Sequence, residues 1–324
     1  MTATLLTAPE YLQDLIAAIN ASSRRVAISS LIIDDDTSTH ALIAALKSAA
    51  QRGVSVEVAI DSFIFTEFGG VLNPFKRTHA HSKAVRVMGQ SLIEAGVSFT
   101  ILDDRPKLNP FSGVTHSKWS IVDDICYAFG GVNLYNNGLA STDYMFKIQD
   151  KTLGDELIEQ QHKIIKSPHP LYNGFATTHS FGTYFIDSGK PNDSPIYSRA
   201  LALSEEATSV LYVSQYSPSG PLALAIKQKG VAYFNQPNNV GFLTSLMLHV
   251  DSLQSGIRSK YMRKKYLHAK FIIFTLRNGK KVALTGSHNF TYKGVTFGTR
   301  EIALEAHEPQ MIEQLEAFFT AHVS

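Results

Sequence analysis

The 324-residue chain contains a single cysteine, Cys126. No intrachain disulfide can form, so nothing in its covalent chemistry asks for an oxidising compartment. No run approaches the roughly 18 apolar residues of a membrane-spanning helix, so none is expected. The opening residues Met1 to Leu6 lack both a basic segment and a long apolar run, and no signal peptide is expected. Charge of either sign is scarce in excess. The 30 Lys and Arg against 28 Asp and Glu leave a formal net charge of +2, which by itself singles out no partner. Metal chemistry has little to build on, because His79 and His81 stand without a cysteine or a third clustered histidine. What remains is 44% hydrophobic and 18% charged, the composition of a globular protein long enough for one large or two ordinary domains.

Against that plain background one pattern occurs twice. His116-Ser117-Lys118 is followed by Asp123 and then Gly130-Gly131-Val132-Asn133. His268-Ala269-Lys270 is followed by Gly286-Ser287-His288-Asn289. The His-to-Asn interval is 17 residues in the first copy and 21 in the second, and the Lys-to-Gly interval grows from 12 to 16. One insertion of 4 residues accounts for both differences, and Leu276-Arg277-Asn278-Gly279-Lys280 has the composition of a longer turn. Asn278-Gly279 is a hairpin signal, because both residue types tolerate positive φ. A third His-x-Lys, His81-Ser82-Lys83, has Met88 where an acid would fall and no Gly-x-x-Asn, and it reads as the start of a surface helix.

Strand periodicity gives the pattern its geometry. Trp119 to Val122 and Ile125 to Phe129 read as strands around an Asp123-Asp124 turn. Positions i and i+2 of a strand share a face, so His116 and Lys118 point the same way. Folding the hairpin back sets Gly130-Gly131 beside His116, where glycine leaves room for a ligand to approach the backbone. Phe271 to Phe274 and Lys281 to Thr285 repeat the plan. The product is a cluster of two imidazoles, two ammonium groups and two carboxamides, suited to a tetrahedral anionic phosphoryl group.

At these residues the chain resembles the phospholipase D superfamily, whose hallmark is a duplicated His-x-Lys-x4-Asp motif. Ile32 to Asp36, Leu42 to Ala50 and Arg52 to Val56 are similar to the opening of cardiolipin synthase-type members, and Leu267 to Leu304 to their second motif. The resemblance implies His116 as nucleophile and His268 as general acid, with Lys118, Lys270, Asn133 and Asn289 holding phosphate. Ser287 is a further candidate phosphate ligand. It also implies an acid after each asparagine that orients a histidine; Asp143 and Glu301 fit, 10 and 12 residues on. Thr275 stands where the second motif of the family has Asp. That Asp, and Asp123 in the first motif, lie far along the strand from the histidine, which points to a structural role. No metal or organic cofactor is implied, because lysines supply the charge that a cation otherwise would.

The rest of the chain reads as α/β. Helices are expected over Pro9 to Ala21 with Thr7 as cap, Thr39 to Arg52, Ser82 to Ala95, Ser198 to Ala207, Leu222 to Gln228 and Gln310 to Ala321. Strands are expected over Arg25 to Ile32, Val54 to Ile60, Val97 to Leu102, Ser209 to Val213 and Val231 to Phe234. The expectation is two similar phospholipase D-like α/β halves, 1–170 and 171–324, with mixed, largely parallel sheets and the site at their seam. The boundary falls in Lys166 to Gly182.

Two further segments bear on substrate. Arg258, Lys260, Arg263, Lys264 and Lys265, interleaved with Tyr261 and Tyr266, suit a nucleic-acid backbone or anionic lipid headgroups. Phe63, Phe65, Phe68, Val71, Leu72 and Phe75 follow a strand end and suit acyl-chain access, or simply a local core. The leading expectation is a cytoplasmic protein, peripheral at an anionic membrane, that transfers or hydrolyses phospholipid headgroups. The alternative is a nuclease with the same chemistry on DNA or RNA. A degenerate, non-enzymatic phosphate-binding module is the third reading.

Overall fold

The computed structural model describes residues 3–67, 80–104, 113–167, 169, 171–236 and 255–324. Two seven-stranded mixed sheets organise them. The first runs, in spatial order, β1 (Ala3–Thr7), β7 (Tyr144–Gln149), β6 (Ile125–Ala128), β5 (Trp119–Val122), β2 (Arg25–Ser30), β3 (Ser55–Asp61) and β4 (Ser98–Leu102). The second runs β8 (Phe175–His179), β9 (Gly182–Ile186), β14 (Ile302–Ala306), β13 (Lys281–Gly286), β12 (Phe271–Leu276), β10 (Ala207–Val213) and β11 (Gly230–Tyr233). From β1 to β3 and from β9 to β11 the two orders match strand for strand. β4 and β8 are the extra edges.

The sheets are mixed, as expected, but the expected parallel majority is wrong. Only β2–β3, β3–β4 and β10–β11 pair in parallel. Every other pairing is antiparallel. The β-α-β units supply the parallel pairs, and the motif hairpins with their flanking strands supply the rest. Expectation erred by generalising from the crossovers and by missing β1, β7, β8, β9 and β14.

The expected helices form with ends shifted by a few residues. The first, Ala8–Ala21, has Pro9 in its first turn, and the Glu10 carboxylate accepts from the Thr7 backbone N–H at 2.9 Å. Its buried face is Tyr11, Leu15 and Ile19, with Ala8 at the start. Two helices that close each sheet, Lys151–Lys166 after β7 and Pro309–His322 after β14, lie between the sheets. One core cluster therefore draws on both halves: Trp119, Ile121, Phe146 and Leu157 join Phe271, Leu304, Met311 and Leu315. Two outer clusters each belong to one half. Gln314 ties the closing helix back to the first strand, accepting from Leu5 N–H at 2.7 Å and donating to Ala3 O at 2.9 Å.

Candidate active site

Each motif hairpin emerges as expected, but its turn is pinned differently. In β5–β6 the Asp123 carboxylate accepts backbone N–H groups of Ser23, Arg24 and Arg25 at 3.0, 2.9 and 3.0 Å. It staples the hairpin turn to the loop entering β2. In the second copy, Thr275 pairs with Lys281 inside the β12–β13 ladder. The turn has moved outward to Arg277–Lys280, where Gly279 holds a φ of 80° and Leu276 N–H meets Lys280 O at 2.8 Å. The longer turn removes the place at which an Asp would act.

The central finding is a crossed exchange. His116 Nδ1 lies 2.8 Å from Glu301 Oε2, and His268 Nδ1 lies 2.6 Å from Asp143 Oδ2. Each histidine is thus oriented by the acid of the other half. The backbone repeats the crossing. Arg300 O accepts from the N–H groups of His116 and Ser117 at 2.8 and 3.0 Å, and Thr142 O from those of His268 and Ala269 at 3.0 and 2.9 Å. Parallel bridges Thr115–Arg300 and Thr142–Leu267 fix the seam. A carboxylate on Nδ1 makes that nitrogen the donor and leaves Nε2 of each ring for chemistry.

Lys118 and Lys270 are buried, and each Nζ donates to the carbonyl of its own motif histidine, the Lys118 contact measuring 2.8 Å. Burial, with Lys270 nearby, brings Lys118 down to about 7, and burial brings Lys270 down to about 8. Burial and then Lys270 hold His268 at about 4, against the pull of Asp143. Burial and then Lys118 and Lys270 put His116 well below 6.5. The two acids diverge. Burial raises Asp143, but its hydrogen bond to His268 and the charges of His268 and Lys270 carry it below the usual value. For Glu301 burial wins, and the carboxyl is raised.

Asn133 is buried and its Oδ1 has no hydrogen-bond partner among the described residues. Asn289 is half-buried, and Ser214 Oγ lies 3.4 Å from its Oδ1. Ser287, expected at phosphate, instead donates its hydroxyl to Glu301 Oε2 and accepts Ile302 N–H at 3.0 Å. The motif glycines also serve another purpose than ligand access. A Cβ on Gly130 would lie 1.8 Å from Tyr144 O, and one on Gly286 2.1 Å from Ile302 O. These glycines let β7 and β14 close in and deliver the acids that precede them. A Cβ on Gly131 would crowd Asp143 Oδ2 at 2.8 Å and Lys270 Nζ at 3.0 Å.

Two residues carried no assigned role in the sequence. His288 is buried and its Nδ1 accepts Phe290 N–H at 2.7 Å, which leaves the ring proton on Nε2. Its signal was its place inside the second Gly-x-x-Asn. Arg300 is 1% exposed, donates to Thr115 Oγ1 at 3.0 Å and lies over the Tyr172 ring at 5.0 Å. The basic run divides: Tyr261 is buried and cannot stack on a base, and Arg263 holds the C-terminal helix through Ala321 O and Ser324 O. Phe65 is core, with Arg86 over its ring at 4.8 Å, so it is no exposed lipid contact. Phe68, Val71, Leu72, Phe75 and His79 lie outside the described residues. Among the described residues no three His, Cys, Asp or Glu side chains group to hold a metal, and no helix is long and apolar enough to cross a membrane.

A duplicated α/β scaffold with a His-Lys-Asn set from each copy meeting at one seam defines a phospholipase D-like protein. The chain matches the family described as cardiolipin synthase, PLD-like domain, over residues 15–165 and 236–323, and it belongs to that family. No curated protein matches it. Among solved structures, phosphatidylserine synthase of Haemophilus influenzae Rd KW20 is similar with a TM-score of 0.71 at 12% identity, over 98% of this chain and 85% of that one. Polyphosphate kinase from Porphyromonas gingivalis is similar with a TM-score of 0.63 at 10% identity, over 98% of this chain but 49% of its own. At these identities the likeness is one of fold.

Proposed function

We propose that the protein is an enzyme that transfers or hydrolyses the phosphatidyl group of a phospholipid through a covalent phosphohistidine. The crossed pairs His116–Glu301 and His268–Asp143, flanking two buried lysines, carry this reading. A phosphodiester between the rings meets Lys118 and Lys270, which offset its negative charge, and the carboxamides of Asn133 and Asn289, which orient its oxygens. The Nε2 lone pair of His116 attacks phosphorus. The bond from phosphorus to the departing alcohol breaks, its electron pair stays on oxygen, and that oxygen takes the Nε2 proton of His268. An incoming alcohol or water gives its proton to His268 Nε2 as its oxygen attacks. The phosphorus–nitrogen bond then breaks and returns its pair to His116.

The site's own groups hold His268 neutral at pH 7, whereas an acid must carry two ring protons. Binding resolves the conflict. An anionic phosphodiester offsets the lysine charge that depresses His268, while Asp143 stays ionised and favours the imidazolium. Family membership supports a lipid substrate, and we take 1–170 and 171–324 as the two halves, with membrane contact peripheral. A nuclease is the second reading, favoured by Lys227, Arg258 and Lys260 lining a cleft with no acid among its described residues.

Product analysis with phosphatidylglycerol vesicles tests the proposal. Cardiolipin plus glycerol marks transfer, and phosphatidic acid marks hydrolysis; either must vanish in His116→Ala. Unchanged lipid with cleaved oligonucleotide moves the assignment to the nuclease. No turnover of either, with no phosphohistidine trapped, leaves a binding module.

A further inference from the structure

His116 meets Glu301 only if two stretches of backbone from different halves keep their register. Residues 113–117 of the first half run beside 297–300 of the second. Gly113 N–H donates to Phe297 O at 3.3 Å, Arg300 N–H to Val114 O at 2.8 Å, and His116 N–H to Arg300 O at 2.8 Å. Glu301 is the next residue, so this pairing decides where its carboxylate lies. The second stretch leaves the short helix Tyr292–Phe297 at Gly298, whose backbone is left-handed at a φ of 68°. A carbonyl at a helix end has no partner within the helix and needs one from outside.

That partner comes from the linker between the halves. His169 Nε2 donates to Gly298 O at 3.0 Å, and the His169 backbone N–H donates to Asp103 Oδ1 at 3.3 Å. Because a carbonyl can only accept, Nε2 carries a ring proton. The ring occupies a slot cleared of side chains in both halves. A Cβ on Gly113 would lie 2.8 Å from its Nδ1, and one on Gly189 2.3 Å from its Nε2. Asp103 acts a second time, since its charge favours the guanidinium of Arg300, the residue before Glu301. Tyr172, three residues on in the linker, lies under that guanidinium at 5.0 Å. The other pair lacks this arrangement. Ala140, which ends the helix Asn136–Ala140, stands two residues before Thr142 as Gly298 stands before Arg300, and among the described residues no side chain donates to its carbonyl.

We infer that His169 is a positioning residue: it holds the 298–300 backbone against the first half and so sets Glu301 at His116, while the His268–Asp143 pair is placed without it. The effect on turnover rests on the proposed function; the effect on geometry does not. His169 touches neither the substrate nor the reacting atoms. Nε2 donates whether or not the ring takes a second proton, so the clasp holds through the histidine range of pH. Loss of the donor leaves Gly298 O unpaired and the slot empty, and the 298–300 stretch shifts with Glu301 at its end. A displacement of about 1 Å in a group that orients a nucleophile can cost about 10²-fold in rate.

The test compares His169→Ala with His169→Gln, which keeps an N–H donor, in the full chain labelled with nitrogen-15 histidine. NMR reads the Nδ1–H signal of each motif histidine, assigned by its loss in His116→Ala and in His268→Ala. The His116 signal should broaden or vanish in His169→Ala and return in His169→Gln, while the His268 signal stays in both. On phosphatidylglycerol vesicles kcat should fall about 10- to 100-fold in His169→Ala, with KM little changed, and recover in His169→Gln. A His116 signal and a kcat in His169→Ala that match the wild type would overturn the inference. Equal loss of both histidine signals in both variants would also overturn it, because it would mark a seam that has loosened throughout. A wild type that turns over neither lipid nor oligonucleotide removes the proposed function alone, and the two NMR signals then decide whether His169 places Glu301.

Discussion

Replacing His288 with valine, the residue at the same place in the first motif, should flatten the dependence of stability on pH. His288 is 3% exposed, and burial holds it at about 4, with Glu301 opposing and His116 reinforcing the shift. The unfolded chain protonates a histidine near 6.5, so between those values only the unfolded state binds the proton. Stability is whole above about 6.5 and drains as the pH falls toward 4. From pH 7 to pH 5 the loss from this one ring is about 2 kcal/mol. His268, also held at about 4, adds a loss of similar size, and His116 acts in the same direction. Glu301 and Asp187, both raised by burial, bind protons more readily when folded and oppose the trend. The wild-type slope is therefore a net of opposed groups, and the difference between proteins is the clean quantity. Urea unfolding at the two pH values should show the wild type losing about 2 kcal/mol more than His288→Val. Losing the acceptor for Phe290 N–H shifts the variant at both pH values alike. Parallel losses would refute the reasoning, because they would mean that His288 is already solvated or charged in the native site.

Other outcomes follow from the same geometry. Asp143→Asn and Glu301→Gln should each lower kcat on a phosphodiester by about 10²- to 10⁴-fold, and Asp143→Asn should add little to His268→Ala if the pair acts as one unit. Full additivity in that double variant would break the crossed assignment. Tungstate, a phosphate mimic, should bind more weakly as the pH rises from 7 to 9, because Lys118 at about 7 and Lys270 at about 8 lose charge over that range. Calorimetry in buffers of different ionisation enthalpy should register proton uptake on binding; a flat profile would show that the lysines do not meet the anion. Asp123→Ala frees three backbone donors and should cost about 1–3 kcal/mol in stability while leaving kcat unchanged.

The motif pair was legible because a hairpin has a fixed pitch: two His-x-Lys segments with a shared insertion had to place like groups alike. Asp123 and Thr275 were legible for the same reason, since the extra residues in the second turn displace the site that an Asp would occupy. The crossing was not legible. Counting forward from each asparagine finds Asp143 and Glu301, but their partners lie 125 and 185 positions away, and only the docking of the halves decides which acid meets which histidine. Of the strands that follow them, Ile302 to Ala306 is buried on both faces and shows no alternation, and Tyr144 to Gln149 alternates only over its last four residues, too short a run to mark a strand. The glycines misled for a related reason. Their smallness is demanded by a neighbouring carbonyl, and a lone hairpin gives no hint of that neighbour.

Crossing also lets a repeated scaffold make two unlike histidines. Asp143 is held ionised by His268 and Lys270, so it favours the charged ring that a general acid needs. Glu301 is raised by burial, and it divides its hydrogen bonding between His116 and Ser287, where the first half has only Gly131. A carboxyl that holds its proton more readily does less to stabilise an imidazolium, so nothing at Glu301 counters the burial and the Lys118 and Lys270 charges that put His116 well below 6.5. A neutral ring with a free Nε2 is what attack on phosphorus requires. Gln215, Tyr216 and Tyr266 are joined by hydrogen bonds beside the other histidine. The proposed division of labour, with His116 attacking and His268 moving the proton, rests on this asymmetry in the acids.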